Sequence, residues 1–334
     1  MVTDEELKIK EAEAMLDAMD KAAKSVSDDI KNQIDGSENK TGEVDEKQDK
    51  RNKLIRRYIK GNPSIDEELK GGMMNEAFVV KTSISDQKYI LYLPTAQANE
   101  MVDRKIERKA HNIAYKLGIS NKTIHFDIKK GIKIFEYIDG SSINKEESEE
   151  DFAKVAELFV KLHASKKTTG VYYDPLGRLN AYRREAEVFV KKFDKEFYEL
   201  FDFVMKYKSF LRDQYITLAH NDAQRSNIVR RTDGKYFLID YEFAADNDPV
   251  YDIATFGNNR VEDGLKLLEE YEKLVPLENG LKRYALWRID ISLQWYLVAI
   301  IKHHRGEGAV HGFNFLDVAH SFLENAKEAR KLLK

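Results

Sequence analysis

The spacing of apolar and polar positions changes several times along this chain. Between residues 4 and 26, Leu7, Met15, Leu16, Met19, Ala23 and Val26 fall near helical spacing, which predicts a short amphipathic helix. Residues 35–50 (DGSENKTGEVDEKQDK) have no such pattern and read as a polar linker. A basic helix is predicted over 51–60, ending at Gly61-Asn62-Pro63. Short β-like runs follow at 76–82, 88–93, 123–128 and 132–138, interrupted by a helix over about 99–117 that stops before Gly118. Past Gly140 the chain reads helical, except for one patch over 215–243. The pattern predicts an α+β protein in which a small strand-rich lobe precedes a larger helical one. The expected division is an acidic, disordered or loosely helical extension at 1–50, an N-lobe at 51–139 and a C-lobe at 140–334.

Charge sharpens the first of these boundaries. Residues 1–50 carry 15 Asp+Glu and 8 Lys, and the first aromatic residue of the chain is Tyr58. Without rings to bury, that segment has little to offset the entropy of ordering, so a solvated appendage or a partner-docking helix is expected. Over the whole chain 55 Lys+Arg nearly balance 58 Asp+Glu, which argues against a nucleic-acid binder. No cysteine is present, so disulfides, thiolate catalysis and thiolate metal sites are excluded. The acidic N-terminus does not read as a secretory signal, and the apolar run at 296–301 is too short to span a bilayer. A soluble, cytoplasmic protein is expected; its oligomeric state is not legible.

Chemistry concentrates in the 215–243 patch, YITLAHNDAQRSNIVRRTDGKYFLIDYEF. The runs IVRR and KYFLID, with Asp233-Gly234 between them, predict a hairpin. It frames a loop holding His220, Asp222 and Asn227 and delivers Asp240 and Glu242 beside that loop. Phosphoryl transfer from a nucleotide needs a carboxylate to orient the attacking hydroxyl, and an Asn and a second Asp to hold Mg²⁺ over the phosphates. The H-x-D-x-x-x-x-N spacing followed by I-D supplies that set: Asp222 as base, Asn227 and Asp240 as metal ligands.

Five segments carry a family resemblance: Gly71-Gly72-Met73-Met74-Asn75, Asp103-Arg104-Lys105-Ile106-Glu107, His220 to Asn227, Ile239-Asp240-Tyr241-Glu242 and Asp248-Pro249-Val250-Tyr251-Asp252. Over about residues 65–325 the chain resembles the choline/ethanolamine kinase branch of the aminoglycoside-phosphotransferase-like kinases, especially bacterial choline kinases. The resemblance implies a two-lobed, protein-kinase-like fold, ATP, Mg²⁺ and a small amino-alcohol acceptor such as choline. It implies that His220 and Gln224 serve beside Asp222. Gly71, Gly72, Asn75, Glu107, Glu136 and Ile138 would bind the nucleotide, and Glu242, Asp246, Trp295 and Tyr296 the acceptor. Physically, a glycine pair lets backbone N–H groups approach phosphate, and aromatic faces suit a trimethylammonium group.

The chain departs from the family pattern at three places. Tyr92 stands where relatives carry the basic third-strand residue that pairs with the helix carboxylate, here Glu107. Met74 replaces a usual Ser or Thr, and Trp295 is followed at W-x-x-W distance by Val298. The first departure implies either a vacancy beside Glu107, or compensation by Lys81, Arg104 or Arg225. A kinase for another acceptor (aminoglycoside, thiamine or sugar) and a silent binding protein stay open as alternatives. His303, His304 and His311 form no recognisable metal motif, and the basic positions Arg51, Lys53, Arg56 and Arg57 read as a solvated helix face.

Overall fold

The structure, a computed structural model, describes residues 41–69, 74–144, 149–308 and 314–334. The helix expected at 4–26 and the glycine pair Gly71-Gly72 lie outside the described residues. Helix α1 (Thr41–Tyr58) begins ten residues before the expected boundary, so 41–50 is helical where a linker was expected. An Asp49–Lys53 ion pair at 2.7 Å spans the two halves of that helix. The apolar end of α1 anchors it: Ile55, and Ile59 just past its last residue, are buried.

They pack on a five-stranded antiparallel sheet of β1 (Ser64–Leu69), β2 (Asn75–Lys81), β3 (Tyr89–Pro94), β4 (Thr123–Phe126) and β5 (Lys133–Glu136), in the order β1-β2-β3-β5-β4. Strand alternation divides its side chains between two faces. Phe78, Val80, Leu91 and Ile134 meet α1, whereas Ala77, Ile90, Phe126 and Phe135 form a second cluster, against which Tyr92 packs. Strand β1 (SIDEEL) was not expected from the sequence; it is an edge strand in which Ile65 and Leu69 are the apolar residues, and its register slips between Ile65 and Glu67. The expected 99–117 helix is two helices, α2 (Ala96–Met101) and α3 (Arg104–Lys116). Asp103 separates them by capping α3, accepting from the Lys105 and Ile106 N–H groups.

The C-terminal part is helical around one long element. The helices are α4 (Glu149–His163), α5 (Pro175–Ala186), α6 (Lys195–Lys206), α7 (Lys208–Arg212), α8 (Val250–Phe256), α9 (Val261–Leu274), α10 (Gly280–His304) and α11 (Phe315–Lys331). Helix α10 is apolar over most of its circumference because α5, α6, α8, α9 and α11 pack against it. Small strands interrupt the helices: β6 (Gly140–Ser142), β8 (Ile228–Arg231) and β9 (Tyr236–Leu238) form one sheet, β7 (Thr217–Ala219) and β10 (Ala245–Asn247) another. The β8–β9 hairpin turns at Asp233-Gly234, with Gly234 at φ +82°. No described helix is long and apolar enough to cross a membrane. The architecture is two-lobed and protein-kinase-like.

Truncating Ile55 to Ala should lower N-lobe stability in urea titration by about 2–5 kcal/mol, the usual range for emptying a buried Ile site. A loss below about 1 kcal/mol would remove α1 from the core.

Candidate active site

Between β7 and β8 the chain makes a loop whose backbone is held by a buried carboxylate. Asp252, at the start of α8, accepts the N–H groups of His220 (2.8 Å) and Asn221 (2.7 Å). It is fixed in turn by His163 Nε2 at 3.0 Å, whose Nδ1 lies 3.1 Å from the Tyr271 hydroxyl. His163 thus braces the loop from below. Asn221 takes a left-handed backbone at φ +63°, and its side chain bonds the Phe243 carbonyl and Asn247. Strain of this kind persists only where surrounding bonds over-determine it.

His220 is fully buried and does not face a reactant. Its Nδ1 accepts the Asp222 N–H, so Nε2 carries the proton and donates to the Ile239 carbonyl at 2.8 Å. The ring therefore ties the loop to the strand end that presents Asp240. Asp240, at φ +64°, is a second left-handed residue.

The Asp222 carboxylate receives Gln224 Nε2 at 2.6 Å and Asn227 Nδ2 at 3.1 Å. Asn227 Nδ2 also donates to the Asp222 carbonyl, which leaves its amide oxygen as the atom able to face a cation. Burial pushes the Asp222 carboxyl up to about 6, against the pull of Gln224. Asp240 is raised as well, chiefly by burial, with Lys133 opposing. The structure thus brings Asp222, His220, Gln224, Asn227 and Asp240 together.

The sheet supplies a cation that sequence reasoning missed. Lys133 on β5 is directly opposite Tyr92 on β3, so both side chains leave the same face of the sheet. Lys133 Nζ lies 2.5 Å from Glu107 Oε1, and Arg104 Nη1 lies 2.9 Å from Glu107 Oε2. All three residues are buried. Lys133 also stands 5.4 Å from the centre of the Tyr92 ring. Glu107 therefore has two partners, and the vacancy expected from Tyr92 does not exist: the cation is one strand over. Of the three cations considered from sequence, Lys81 is engaged with Asp66, Arg225 with Asp263, and Arg104 alone reaches Glu107. Tyr92, Glu107, Lys133, Phe135, Ile239 and Asp240 line one narrow interior cleft.

The remaining expected site residues separate. Asn75, at the start of β2, donates to Glu242 at 2.9 Å, joining a nucleotide-side residue to an acceptor-side one across the two lobes. Burial and the neighbouring Asp240 push Glu242 up to about 8. The Glu136 side chain pairs with Lys122, its carbonyl accepts from Asn121, and Ile138 follows it beyond β5. Asp246 is a structural clamp rather than an open carboxylate: it takes the N–H of Thr169, the Thr169 hydroxyl and the N–H of Gly170. Trp295 stacks on Phe322 of α11, and the Tyr296 hydroxyl donates to Asp194 at 2.8 Å while its ring stacks on Phe197. These contacts place both α10 aromatics in helix–helix packing and not in a cage with Asp222.

Removing one partner of a buried ion pair costs about 3–5 kcal/mol. Lys133→Met should therefore destabilise the protein by up to that amount, less whatever Arg104 recovers. The double variant Lys133→Met/Glu107→Gln should regain part of the loss, since no carboxylate is then stranded. Additive losses in this double-mutant cycle would refute the coupling. Tyr92→Arg should lower stability too, because it adds a third buried cation beside Lys133.

The family model for choline/ethanolamine kinase matches residues 67–263. Protein LicA of Haemophilus influenzae is 24% identical over 269 residues, covering 76% of this chain and 78% of that protein. The crystal structure of the choline kinase LicA from Streptococcus pneumoniae superposes with a TM-score of 0.63 at 22% identity, over 84% of this chain and 99% of that one. A LicA structure in complex with AMP gives 0.62 at 22% identity, over 82% and 97%. The structural likenesses establish the shared fold, and with more than half of its length matched by the family model, the chain belongs to the choline/ethanolamine kinase family.

Proposed function

We propose that this protein transfers the γ-phosphoryl group of ATP to the hydroxyl of a small amino alcohol, choline and its relatives being the class to test first. The observation that carries the reading is the Asp222 carboxylate, half-buried and held by Gln224 and Asn227, together with Asp240 and the Lys133–Glu107 pair. In the transfer, the acceptor oxygen forms a bond to the γ-phosphorus while the bond to the β,γ-bridging oxygen breaks. Its electron pair leaves with ADP, and the hydroxyl proton passes to Asp222. Gln224 fixes the direction of that carboxylate. Lys133 supplies the point charge that the family carries on the third strand, reaching the phosphates from β5 with Tyr92 as its floor.

A divalent cation such as Mg²⁺ suits the donor chemistry here. Asp240 and the Asn227 amide oxygen are hard oxygen ligands, and a carboxylate raised by desolvation gains from a cation. Among the described residues no three His, Asp or Glu side chains form a metal group. When bound, the cation would neutralise phosphate charge. Asp240 and Asn227 would hold it.

A second reading, a kinase of this fold with a different acceptor, is favoured by the packing of Trp295 and Tyr296 away from Asp222.

Asp222→Asn and Asp240→Ala should each abolish ADP release with acceptor while the proteins melt normally; near wild-type turnover in either would sink the assignment. Because Asp222 must be ionised to accept a proton and its carboxyl is raised to about 6, kcat/KM should fall as pH drops through about 6 and level off above it. A flat profile down to about pH 5 would remove Asp222 from the role of base. Lys133→Met should weaken ATP binding at least about tenfold, and adding Tyr92→Lys to it should restore much of that by returning the cation to β3. ATP titration calorimetry separates this from the opposite outcome, in which the second substitution changes nothing.

A further inference from the structure

Arg288, in the middle of α10, is fully buried, and among the described residues no carboxylate pairs with it. Its hydrogen bonds go to neutral oxygens instead. Nη1 donates to the Ala254 carbonyl at 3.0 Å and to Asn258 Oδ1 at 3.3 Å, and Nη2 to the Asn258 carbonyl at 3.3 Å and the Ser292 hydroxyl at 3.0 Å. A buried cation without a counter-ion is costly, so its placement calls for a reason. Part of the reason is structural: the two carbonyls lie at and just beyond the C-terminus of α8, where a cation is favourable. The bond to the Asn258 side chain serves no helix end. It continues toward the catalytic loop, because Asn258 Nδ2 donates to Gln224 Oε1 at 3.5 Å and Gln224 Nε2 donates to Asp222 Oδ1 at 2.6 Å.

This line of hydrogen bonds, from α10 through two amides to the base, has one direction. A guanidinium can only donate, and an ionised carboxylate can only accept. Each amide between them has a donating and an accepting end of nearly equal size. Asn258 must present its oxygen to Arg288, which leaves its NH2 for Gln224. Gln224 must then present its oxygen to Asn258, which leaves its own NH2 for Asp222. Turning either amide over sets like ends against each other at both of its contacts. Asn258 is only 4% exposed, so water is poorly placed to repair such a mismatch. Its backbone is held as well: its N–H donates to the Thr255 carbonyl at 3.0 Å, and Asn325 of α11 donates to its carbonyl at 3.4 Å.

We propose that Arg288 and Asn258 are positioning residues for phosphotransfer: they fix which end of the Gln224 amide faces Asp222, and through it the orientation of the base. The inference rests on the phosphotransfer reading and extends it to two residues outside the catalytic loop. Both act through Gln224. An Arg288 that merely capped α8 would need the two carbonyls and nothing from the Asn258 side chain. The donor-only chemistry of the guanidinium is what the role requires, since a group able to present either end would leave the direction of both amides open.

The test makes stability and activity move apart in the full chain. Asn258→Asp gives Arg288 a carboxylate partner, so its thermal melt should hold or rise, but it leaves no NH2 for Gln224. In ADP release with choline or ethanolamine, kcat should fall about tenfold or more, the worth of a hydrogen bond to a charged group, while KM for ATP stays within about twofold. In a Gln224→Ala background the same substitution should cost less than about twofold, because the group it acts through is gone. Arg288→Lys keeps a donor-only cation and should retain more kcat than Arg288→Gln, whose amide can present either end. Wild-type kcat in Asn258→Asp, or an equal loss with and without Gln224, overturns the proposal. The Arg288 pair decides the matter if Asn258→Asp melts early: equal kcat in the two overturns it. A further readout needs no turnover. The Gln224 side-chain NH2 signals in an NMR spectrum, identified by their absence in Gln224→Ala, should shift in Asn258→Asp and in Arg288→Gln, and unmoved signals overturn the proposal. If neither acceptor yields ADP but the signals move, the line to Asp222 stands and the phosphotransfer reading falls.

Discussion

A buried carboxylate is the constraint on which the inner face of the sheet depends. Glu107 sits on α3 beneath the sheet, and an ionised group there is tolerated only when paired. Lys133 and Arg104 pair with it from opposite directions, one from β5 and one from the preceding turn of its own helix. The pairing docks α3 on the inner face of the sheet and brings a cation to the same cleft as Asp240. A buried ion pair is poor evidence of net stability, since desolvation offsets much of the attraction. Its worth here is positional. The ammonium group, the helix carboxylate and the Asp240 carboxylate share a space too small to arrange them differently.

The catalytic loop solves a similar problem with backbone groups. Asp252 accepts two consecutive N–H groups at the bend, and His163 with Tyr271 completes its hydrogen bonding from the helices behind. Two left-handed residues, Asn221 and Asp240, stand at or beside the two carboxylates, Asp222 and Asp240. His220 links the Asp222 N–H to the Ile239 carbonyl through opposite ring nitrogens. These groups fix the positions of the Asp222 and Asp240 carboxylates. Their conformational cost is offset by the helical core around α10, to which the loop is tied through α8.

On the acceptor side the same economy of charge produces a different result. The α10 aromatics that a quaternary-ammonium site would use are committed to Phe322, Phe197 and Asp194, so they stabilise helix packing. The Tyr173 and Phe243 rings enclose Arg178. Family membership therefore accounts for the phosphotransfer machinery more fully than for the acceptor pocket, as expected when function resides in sites grafted onto a shared fold.

Much of the candidate site was legible because it is local in sequence. Asp222, Gln224 and Asn227 occupy one short loop, and the Asp233-Gly234 turn defines the hairpin that returns the chain to Asp240, so spacing alone carries the geometry. The β2, β3 and β5 strands were equally plain from their apolar runs, whereas β1 was hidden by its acidic residues and the start of α1 by its polar composition. Lys133 was visible as a lysine inside the run Ile132-Lys133-Ile134-Phe135, on the same strand face as Phe135. What no spacing revealed is that β5 pairs with β3 in the register that sets Lys133 against Tyr92. That register depends on long-range strand pairing and a buried carboxylate underneath. In the same way, sequence determined that Trp295, Tyr296 and Arg178 exist on helices, and tertiary packing decided which neighbours they face. A side chain's chemistry is covalent and local, but its partner is chosen by the fold, and here those choices moved the partner of Glu107 one strand over and filled an aromatic cage from within.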